Sequence, residues 1–232
     1  MSGGGNSGIK VILLGESGVG KTNLINVALD NPFESNSESS VHSSYFEGKI
    51  EHNKNIYRYV LWDTAGQEIY RALNKIFIKG SKVIIFVYSI DNKDSFEQIE
   101  FWINTAKEVI EKEKCIMALL ANKSDLFEEQ VVPDEDGKKL SEKYNIKFGI
   151  TSAYCDAAGF KEFLKELILD YIELIGPEEE KEMNFKLKEV RSQKVKKKGC
   201  CWIFNNLNKF ILLVIIIILL WLININNINI LN

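Results

Sequence analysis

One eight-residue stretch near the start of the sequence constrains the fold more than any other. It follows an apolar run, Ile9–Leu14, and precedes a helical pattern of apolar residues, Leu24–Leu29. It matches the glycine-rich turn that joins a strand to a helix around a phosphate, and its residues are Gly15, Glu16, Ser17, Gly18, Val19, Gly20, Lys21 and Thr22. The glycines let the backbone approach the phosphates, and the N–H groups at the helix start supply positive potential. The stretch therefore predicts a nucleoside triphosphate site.

Two side chains of this turn suit a triphosphate and its metal ion. Lys21 would place a positive charge on the β- and γ-phosphates, and the Thr22 hydroxyl would ligate Mg²⁺. A glycine turn that binds nothing is the alternative, and the strand and helix patterns on either side disfavour it. The turn by itself identifies neither the base nor the purpose of hydrolysis.

The composition is that of one ordinary domain with an appendage. The 232 residues are 46% hydrophobic and 26% charged, which is enough for a sizeable core. The formal net charge of -3 argues against nucleic acid as the main partner. Of the cysteines only Cys200 and Cys201 are close together, so neither a disulfide framework nor a zinc site is indicated. The sequence also lacks a secretory signal. Both observations place the domain in the reducing cytosol, as an expectation.

Apolar runs alternate with amphipathic helical patterns along most of the chain. Val83–Ser89 and Cys115–Ala121 are apolar almost throughout, which is typical of strands buried on both faces. Tyr45–Ile50 and Ile56–Trp62 predict two further strands, and Phe96–Ile110 predicts a helix. The last helical pattern has an apolar face that we interpret as core: Phe160, Phe163, Leu164, Leu167, Ile168, Tyr171, Ile172 and Ile175. The chain is therefore expected to form an α/β fold, with a mostly parallel sheet covered on both faces.

A second motif, Trp62 to Glu68, comes at the end of a predicted strand, where ligands of such sheets bind. There Asp63 can hold the Mg²⁺ shell, Gly66 can turn its N–H toward a γ-phosphate, and Gln67 can orient an attacking water. These residue types complement the glycine-rich turn.

Two more strand ends carry groups suited to guanine. The carboxylate of Asp125, in Asn122-Lys123-Ser124-Asp125, can accept from both N1–H and the N2 amino group, a donor pair that adenine lacks. Lys123 can lie over the base, and a backbone N–H of Thr151-Ser152-Ala153 can meet the guanine O6. Each motif alone is common, but their order and their placement at strand ends make the combination specific.

On these motifs, residues 8–176 resemble a Ras-superfamily small GTPase, and most of all its Rab branch. The resemblance depends on GESGVGKT (15–22), WDTAGQE (62–68), NKSD (122–125), TSA (151–153) and KKKGCC (196–201). It implies a three-layer P-loop G domain, with a six-stranded, mostly parallel sheet and five helices. It also implies a GDP/GTP switch that binds Mg²⁺ and hydrolyses GTP to GDP and phosphate.

The resemblance also implies roles for single residues. Gln67 would be catalytic, Phe33 would stack on the guanine edge, and Ser40 would join Thr22 and Asp63 as a metal ligand. Tyr45, Trp62 and Phe77 fall where Rab proteins place an aromatic cluster that effectors read, with core packing as the alternative for the last two. The implied nucleotide contacts are residues 15–22, Phe33, Ser40, Asp63, Thr64, Ala65, Gly66, Asn122, Lys123, Asp125, Ser152 and Ala153.

Several positions depart from the family pattern. Ser40 lacks the methyl group that would stiffen χ1 of a threonine, so the GTP-ordered switch is expected to be looser. Tyr154 stands where a lysine is common, and Ile69-Tyr70 replaces an Arg-Phe pair. None of these changes removes a group that hydrolysis needs. Because no arginine is available from the turn itself, turnover is expected to be slow without an activating protein.

Outside the G domain we expect a disordered leader (1–7), a basic linker (177–199) and a membrane-anchoring tail (200–232). Within the tail, residues 210–223 are wholly apolar, yet shorter than the ~20 residues of a spanning helix. Cys200 and Cys201 are candidates for lipidation, although prenylation motifs end a chain. Three accounts remain: a hydrophobic anchor with a palmitoylated cysteine, processing that exposes the cysteine pair for prenylation, or an erroneous gene model. Each holds the protein at a cytoplasmic membrane face, with a possible cytosolic pool.

The sequence thus predicts a monomeric Rab-like GTPase of vesicle trafficking. Its expected partners are a guanine nucleotide, an exchange factor, an activating protein, effectors and a membrane, but not nucleic acid. A Ras- or Rho-like signalling GTPase and a GTP-bound scaffold that does not cycle are the alternatives. An ATPase is disfavoured because Asp125 would face the N1 acceptor of adenine.

Overall fold

The computed structural model describes residues 8–33, 44–53, 55–63, 71–110, 113–177 and 179–180. The strands are β1 (Ile9–Leu14), β2 (Ser44–His52), β3 (Asn55–Asp63), β4 (Val83–Ser89), β5 (Ile116–Asn122) and β6 (Lys147–Ile150). The helices are α1 (Lys21–Ala28), α2 (Arg71–Ile78), α3 (Lys93–Glu97), α4 (Ile99–Ile110), α5 (Asp134–Tyr144) and α6 (157–177). A turn of 3₁₀ helix covers Phe127–Glu129.

The six strands form one sheet in the order β2-β3-β1-β4-β5-β6. Only β2 and β3 pair antiparallel, and the other neighbours are parallel. If α3 and α4 are taken as one helix interrupted at Gln98, the described residues contain the expected five helices. The predicted fold class is therefore confirmed.

The core lies on both faces of the central strands. Every residue of β4 is buried, as are all of β1 except Lys10. Most of the predicted stripe of α6 is buried as well, including Phe160, Leu167 and Ile168 at 0% exposure. Continuous apolar strands are required here because helices cover the sheet from both sides.

Some boundaries differ from the sequence-based expectation. The predicted helix Phe96–Ile110 begins earlier, because the side chain of Asn92 accepts from the N–H of Ser95 at 2.9 Å and caps α3. The sequence pattern does not predict helix α2. Its apolar residues lie at helical spacing, but the run is only eight residues long, too short for periodicity alone to identify.

The last helix contains a left-handed glycine near its end. Gly176 has φ 77°, a conformation common at helix ends, and residues 179 and 180 are helical as well. Tyr57 donates to Glu180 at 2.6 Å, and Lys114 pairs with Glu179 at 2.7 Å. The described chain thus ends against the strand ends opposite the phosphate-binding turn.

Several predicted features lie outside the described residues. They are the leader 1–7, Ser40, Thr64, Ala65, Gly66, Gln67, the linker beyond residue 180, Cys200, Cys201 and the apolar segment 210–223. Among the residues that the structure does describe, no helix is both long and apolar enough to cross a bilayer.

Candidate functional site

The predicted phosphate-binding turn connects β1 to α1 and depends on its glycines. Gly18 and Gly20 have φ of 77° and 94°, in the left-handed region that side chains with a Cβ disfavour. At Gly15 a Cβ would lie 2.1 Å from the carbonyl oxygen of Val87. The turn can therefore pass this close to β4 only with glycine at position 15.

Gly20 also faces the loop that carries the predicted base-selecting residues. A Cβ at Gly20 would lie 2.4 Å from Nδ2 of Asn122, the atom that donates to Val19 O at 2.8 Å. At Gly18 a Cβ would meet none of the described atoms within 4 Å. An alanine at Gly18 would therefore cause backbone strain alone, whereas an alanine at Gly20 would also break the hydrogen bond from Asn122.

We expect Gly20→Ala to weaken GDP binding by about tenfold to a hundredfold more than Gly18→Ala does. Both variants strain a left-handed backbone, but only Gly20→Ala breaks the buried bond from Asn122. Titration calorimetry with GDP measures the difference, and melting temperatures show whether each variant folds. Equal losses of affinity would mean that the bond does not hold the site together.

Lys21 is the first residue of α1 and is only 5% exposed. Its Nζ donates to the carbonyl oxygens of Gly15 and Glu16, both at 2.8 Å. Burial lowers its pKa to about 8, although the nearby carboxylates of Asp63 and Glu16 oppose the shift. A bound phosphate would place additional negative charge beside this desolvated ammonium and so stabilise its protonated form.

The lowered pKa makes phosphate binding depend on pH. In the free protein the Lys21 ammonium loses its proton near pH 8, whereas a bound phosphate favours the charged form. The affinity for GDP should therefore be highest below this pH, and above it should fall by up to about tenfold per pH unit. Calorimetry between pH 7 and 8.5 tests this, and Lys21→Met, which lacks the ammonium group, should remove most of the slope. A wild-type slope equal to that of Lys21→Met would contradict the assignment.

Two of the three predicted metal ligands are in contact. The Thr22 hydroxyl donates to Oδ2 of Asp63 at 2.8 Å, and Asp63 is 2% exposed. They meet because Asp63 is in register with Leu13, near the end of β1. A hydroxyl and a buried carboxylate are hard oxygen ligands, which fit Mg²⁺ with its remaining sites left to water and phosphate. The third ligand, Ser40, lies outside the described residues.

Asn122 joins the two halves of the site. It ends β5 and is 1% exposed. Its amide donates to Val19 O in the phosphate-binding turn at 2.8 Å, and its Oδ1 accepts from the N–H of Ala153 at 3.2 Å. The same Ala153 N–H is a candidate donor to the guanine O6. On nucleotide binding it would donate to O6 in place of Asn122 Oδ1, or to both oxygens.

The predicted base-selecting carboxylate is held in place by a neighbouring loop. The hydroxyl of the buried Ser152 donates to Oδ1 of Asp125 at 2.5 Å, and the Ser124 N–H donates to Thr151 O at 3.1 Å. A carboxylate has about four acceptor positions, so Asp125 keeps room for two guanine donors. Asp125 and Ser152 thus form one preorganised element.

Lys123 has a partner that its own sequence motif does not reveal. Its backbone is left-handed with φ 64°, and its Nζ lies 3.5 Å from the carboxylate of Asp91, which also accepts from the Ser89 hydroxyl. Asp91 follows the end of β4, next to β5 in the sheet, and this adjacency is the only signal that could have identified it. The contact fixes the side chain predicted to lie over the base.

Trp102 contacts the phosphate-binding turn from α4. Its indole is 6% exposed and packs in the core beside the sheet. Its Nε1–H also donates to Oε1 of Glu16 at 3.2 Å, which sequence spacing does not reveal. One wall of the turn is therefore bonded to the helical layer.

The predicted aromatic cluster is assembled on one face. Ring centroids are 5.7 Å apart for Tyr45 and Trp62, and 6.2 Å apart for Trp62 and Phe77. Tyr45 is 56% exposed, whereas the other two rings pack partly against the core. Lys10 binds the cluster to α2: its Nζ is 5.0 Å from the Trp62 ring centroid and donates to the carbonyls of Phe77 and Lys79. Core packing and a partner surface are therefore both compatible with these residues.

Phe33, predicted to stack on guanine, packs against Tyr154. Their ring centroids are 5.3 Å apart at an interplanar angle of 69°, an edge-to-face arrangement. Phe33 follows α1, and Tyr154 follows the Thr151-Ser152-Ala153 stretch. Both loops adjoin the base-selecting residues.

The chain is similar to a known protein family over most of its length. The family model of the Ras family matches residues 10–173. Ras-related protein RABA1b of Arabidopsis thaliana is 35% identical over 144 residues, 62% of this chain and 66% of the relative. Ras-related protein Rab-26 of Rattus norvegicus is 37% identical over 145 residues, 62% of this chain and 56% of the relative. Ras-related protein RGP2 of Oryza sativa subsp. japonica is 30% identical over 167 residues, 72% of this chain and 76% of the relative.

The match to the first two relatives thus spans less than two thirds of their length. The family model, which matches residues 10–173, includes both the phosphate-binding turn and the base-selecting loop. The resemblance drawn from the motifs is confirmed. The chain belongs to the Ras family of small GTPases, and within that family it is most like the Rab proteins.

Proposed function

We propose that this chain is a Rab-like GTPase, which hydrolyses GTP to GDP and phosphate and alternates between the two bound states. The observation that carries this proposal is the pair of hydrogen bonds made by the Asn122 side chain, one to Val19 and one to Ala153. One buried side chain thereby holds the phosphate-binding turn and the loop of Asp125 in a single geometry. Such preorganisation suits a ligand with a phosphate chain at one end and guanine at the other.

The reaction is attack of water on the γ-phosphate, with GDP as the leaving group. The Lys21 ammonium and the N–H groups of the turn would stabilise the charge that develops on the phosphate oxygens. Mg²⁺, when held by Thr22, Ser40 and Asp63, would neutralise part of the same charge. Gln67 would orient the attacking water. With no arginine in the turn, an activating protein is needed for rapid hydrolysis.

The same site would act as a switch. Contacts of the γ-phosphate with Ser40 and Gly66 would order their two loops, and hydrolysis would release them. The aromatic cluster Tyr45, Trp62 and Phe77 lies beside these segments in the sequence, so effectors could read the change. Ile76, in the same helix as Phe77, is 68% exposed. An exchange factor would restore the GTP-bound state.

We further propose that the protein acts as a monomer at a cytoplasmic membrane face, in vesicle trafficking. The basic residues of the 177–199 linker favour an anionic leaflet by about 1 kcal/mol each, and Cys200 and Cys201 would carry lipid. The 210–223 segment offers a hydrophobic anchor in its place. The intact mass of the native protein distinguishes a chain ending near residue 201 with prenyl groups from a full-length anchored one.

Locked variants expressed in cells test the trafficking role. Gln67→Leu would hold the GTP-bound state, and Thr22→Asn would lose the metal-binding hydroxyl. If the protein directs vesicle traffic, both variants should delay a secreted cargo while leaving mitogenic and cytoskeletal readouts unchanged. The opposite pattern would favour a Ras- or Rho-like signalling GTPase.

A scaffold that does not cycle is the remaining alternative. Single-turnover GTP hydrolysis by the purified protein, with and without a cell extract as the source of an activating protein, distinguishes it from a switch. Acceleration by extract supports cycling, whereas bound GTP that stays intact in both conditions supports the scaffold.

A further inference from the structure

The guanine end of the proposed site has an aromatic wall that the family pattern does not provide. Tyr154 stands where a lysine is common, and its ring meets Phe33 edge-to-face with centroids 5.3 Å apart. A lysine at this position would present a flexible chain and a charge. A tyrosine presents a rigid ring, which has only two side-chain torsions to order.

Both ends of this aromatic pair are held by their own loops. The Ser152 hydroxyl accepts from the N–H groups of Tyr154 and Cys155 at 3.1 and 3.2 Å. That same hydroxyl donates to Asp125. The position of Tyr154 is therefore tied, through one serine, to the carboxylate that would select guanine.

The Phe33 side is held less directly. Asp30, three residues earlier, pairs with Lys161 of α6. The Asn31 N–H also donates to Asn26 O at 3.0 Å, at the end of α1. An exposed ion pair contributes little by itself, so the edge-to-face contact with the Tyr154 ring is a further restraint on Phe33.

Exposure shows that the pair is not simply part of the core. Phe33 is 37% exposed and Tyr154 is 68% exposed, whereas the neighbouring Ala153 is 4% exposed. Two aromatic rings that contact each other at the surface, beside a base-binding loop, leave apolar area that a purine could cover. If the Phe33 ring lay between Tyr154 and guanine, it would be removed from water on both sides.

We propose that Tyr154 is a positioning residue for nucleotide retention: it holds the Phe33 ring against the guanine edge and so slows nucleotide release. The inference rests on the proposed guanine site and adds a determinant of how long the nucleotide stays bound. Release, not the chemical step, is the quantity that Tyr154 would control, because Tyr154 follows the loop proposed to contact the base and is not part of the turn proposed to hold the phosphates.

Release of a fluorescent N-methylanthraniloyl GDP from the full-length protein, chased with excess GDP, tests the proposal. We expect Tyr154→Ala and Tyr154→Lys to release the nucleotide about threefold to tenfold faster than wild type, the range for one aromatic pair. Tyr154→Phe keeps the ring and should restore slow release. Ile56→Ala, a 59% exposed apolar truncation at the opposite end of β3, is the matched control and should leave release unchanged.

A double-mutant comparison separates positioning from direct contact. If Tyr154 acts through Phe33, then Phe33→Ala with Tyr154→Ala should release nucleotide no faster than Phe33→Ala alone. Single-turnover hydrolysis of bound GTP should be unchanged in Tyr154→Ala. Any of three results would overturn the proposal. The first is a double variant whose release rate rises by the product of the two single effects. The others are unchanged release in Tyr154→Ala and slower hydrolysis of bound GTP in that variant.

Failure of the proposed function gives a different result. If the wild-type protein binds no guanine nucleotide, no release is observed from any variant. If wild type binds and hydrolyses GTP but Tyr154→Ala releases GDP at the wild-type rate, the GTPase assignment stands and only the role of Tyr154 is lost.

Discussion

Asp125→Asn is expected to lower the affinity for GDP by about a hundredfold to ten-thousandfold. The carboxylate would accept two charge-assisted hydrogen bonds from guanine, and an amide at this position loses the charge and one acceptor. The Ser152 hydroxyl, which donates to Oδ1 at 2.5 Å, would retain the amide oxygen, so the amide NH₂ would face the donors of guanine. Two donors then oppose each other in a site partly closed to water.

The same substitution predicts which base is accepted instead. Xanthine has a carbonyl oxygen where guanine has its N2 amino group, so it can accept from the new amide. Calorimetry with GDP and with xanthosine diphosphate should show the preference reversed in Asp125→Asn. Glu142→Gln, which removes an exposed carboxylate from α5, controls for net charge and should bind GDP as wild type does. An Asp125→Asn protein that folds and still prefers GDP would remove Asp125 from base selection.

Gln67→Leu is expected to reduce GTP hydrolysis stimulated by an activating protein by at least about a hundredfold, while GTP affinity stays close to wild type. The amide is proposed to position the attacking water, and misplacing a reactant by about 1 Å can cost this much. Leucine has a similar size but neither donates nor accepts a hydrogen bond. The effect should therefore fall on the chemical step alone.

Single-turnover phosphate release with pre-bound GTP measures this loss without interference from nucleotide exchange. Glu68→Gln changes the adjacent side chain and serves as the matched control. A Gln67→Leu protein with wild-type hydrolysis would exclude Gln67 as the water-positioning group, while weakened binding alone would indicate a structural role.

Local patterns were sufficient to predict most of the strands and the identity of the site motifs. The phosphate-binding turn was predictable because strand, glycines, lysine and helix are contiguous in the sequence. Asp63 and Asp125 were predictable because each follows an apolar strand, and parallel strands bring their carboxyl ends to one edge. Helix α2 and the interruption at Gln98 were not, since the segments concerned are too short for their periodicity to be distinctive.

The contacts between motifs were not predictable, because they depend on how the layers pack. Asn122 reaches Val19 across 103 positions in the sequence, and Trp102 reaches Glu16 across 86. A single sequence contains no signal for such pairs, because both partners also have ordinary local roles as a strand end and a core residue. Asp91 likewise meets Lys123 only because β4 and β5 are neighbours.

The sequence by itself thus predicted the chemistry: a turn for phosphates, hard ligands for a metal ion and a carboxylate for guanine, since these depend on residue type and local spacing. Only the tertiary structure decided how these groups are held, through Asn122 between the two loops and Tyr154 against Phe33. Side-chain contacts of this kind are set by the register of the sheet and the packing of the loops, which come from the whole chain and not from any one segment.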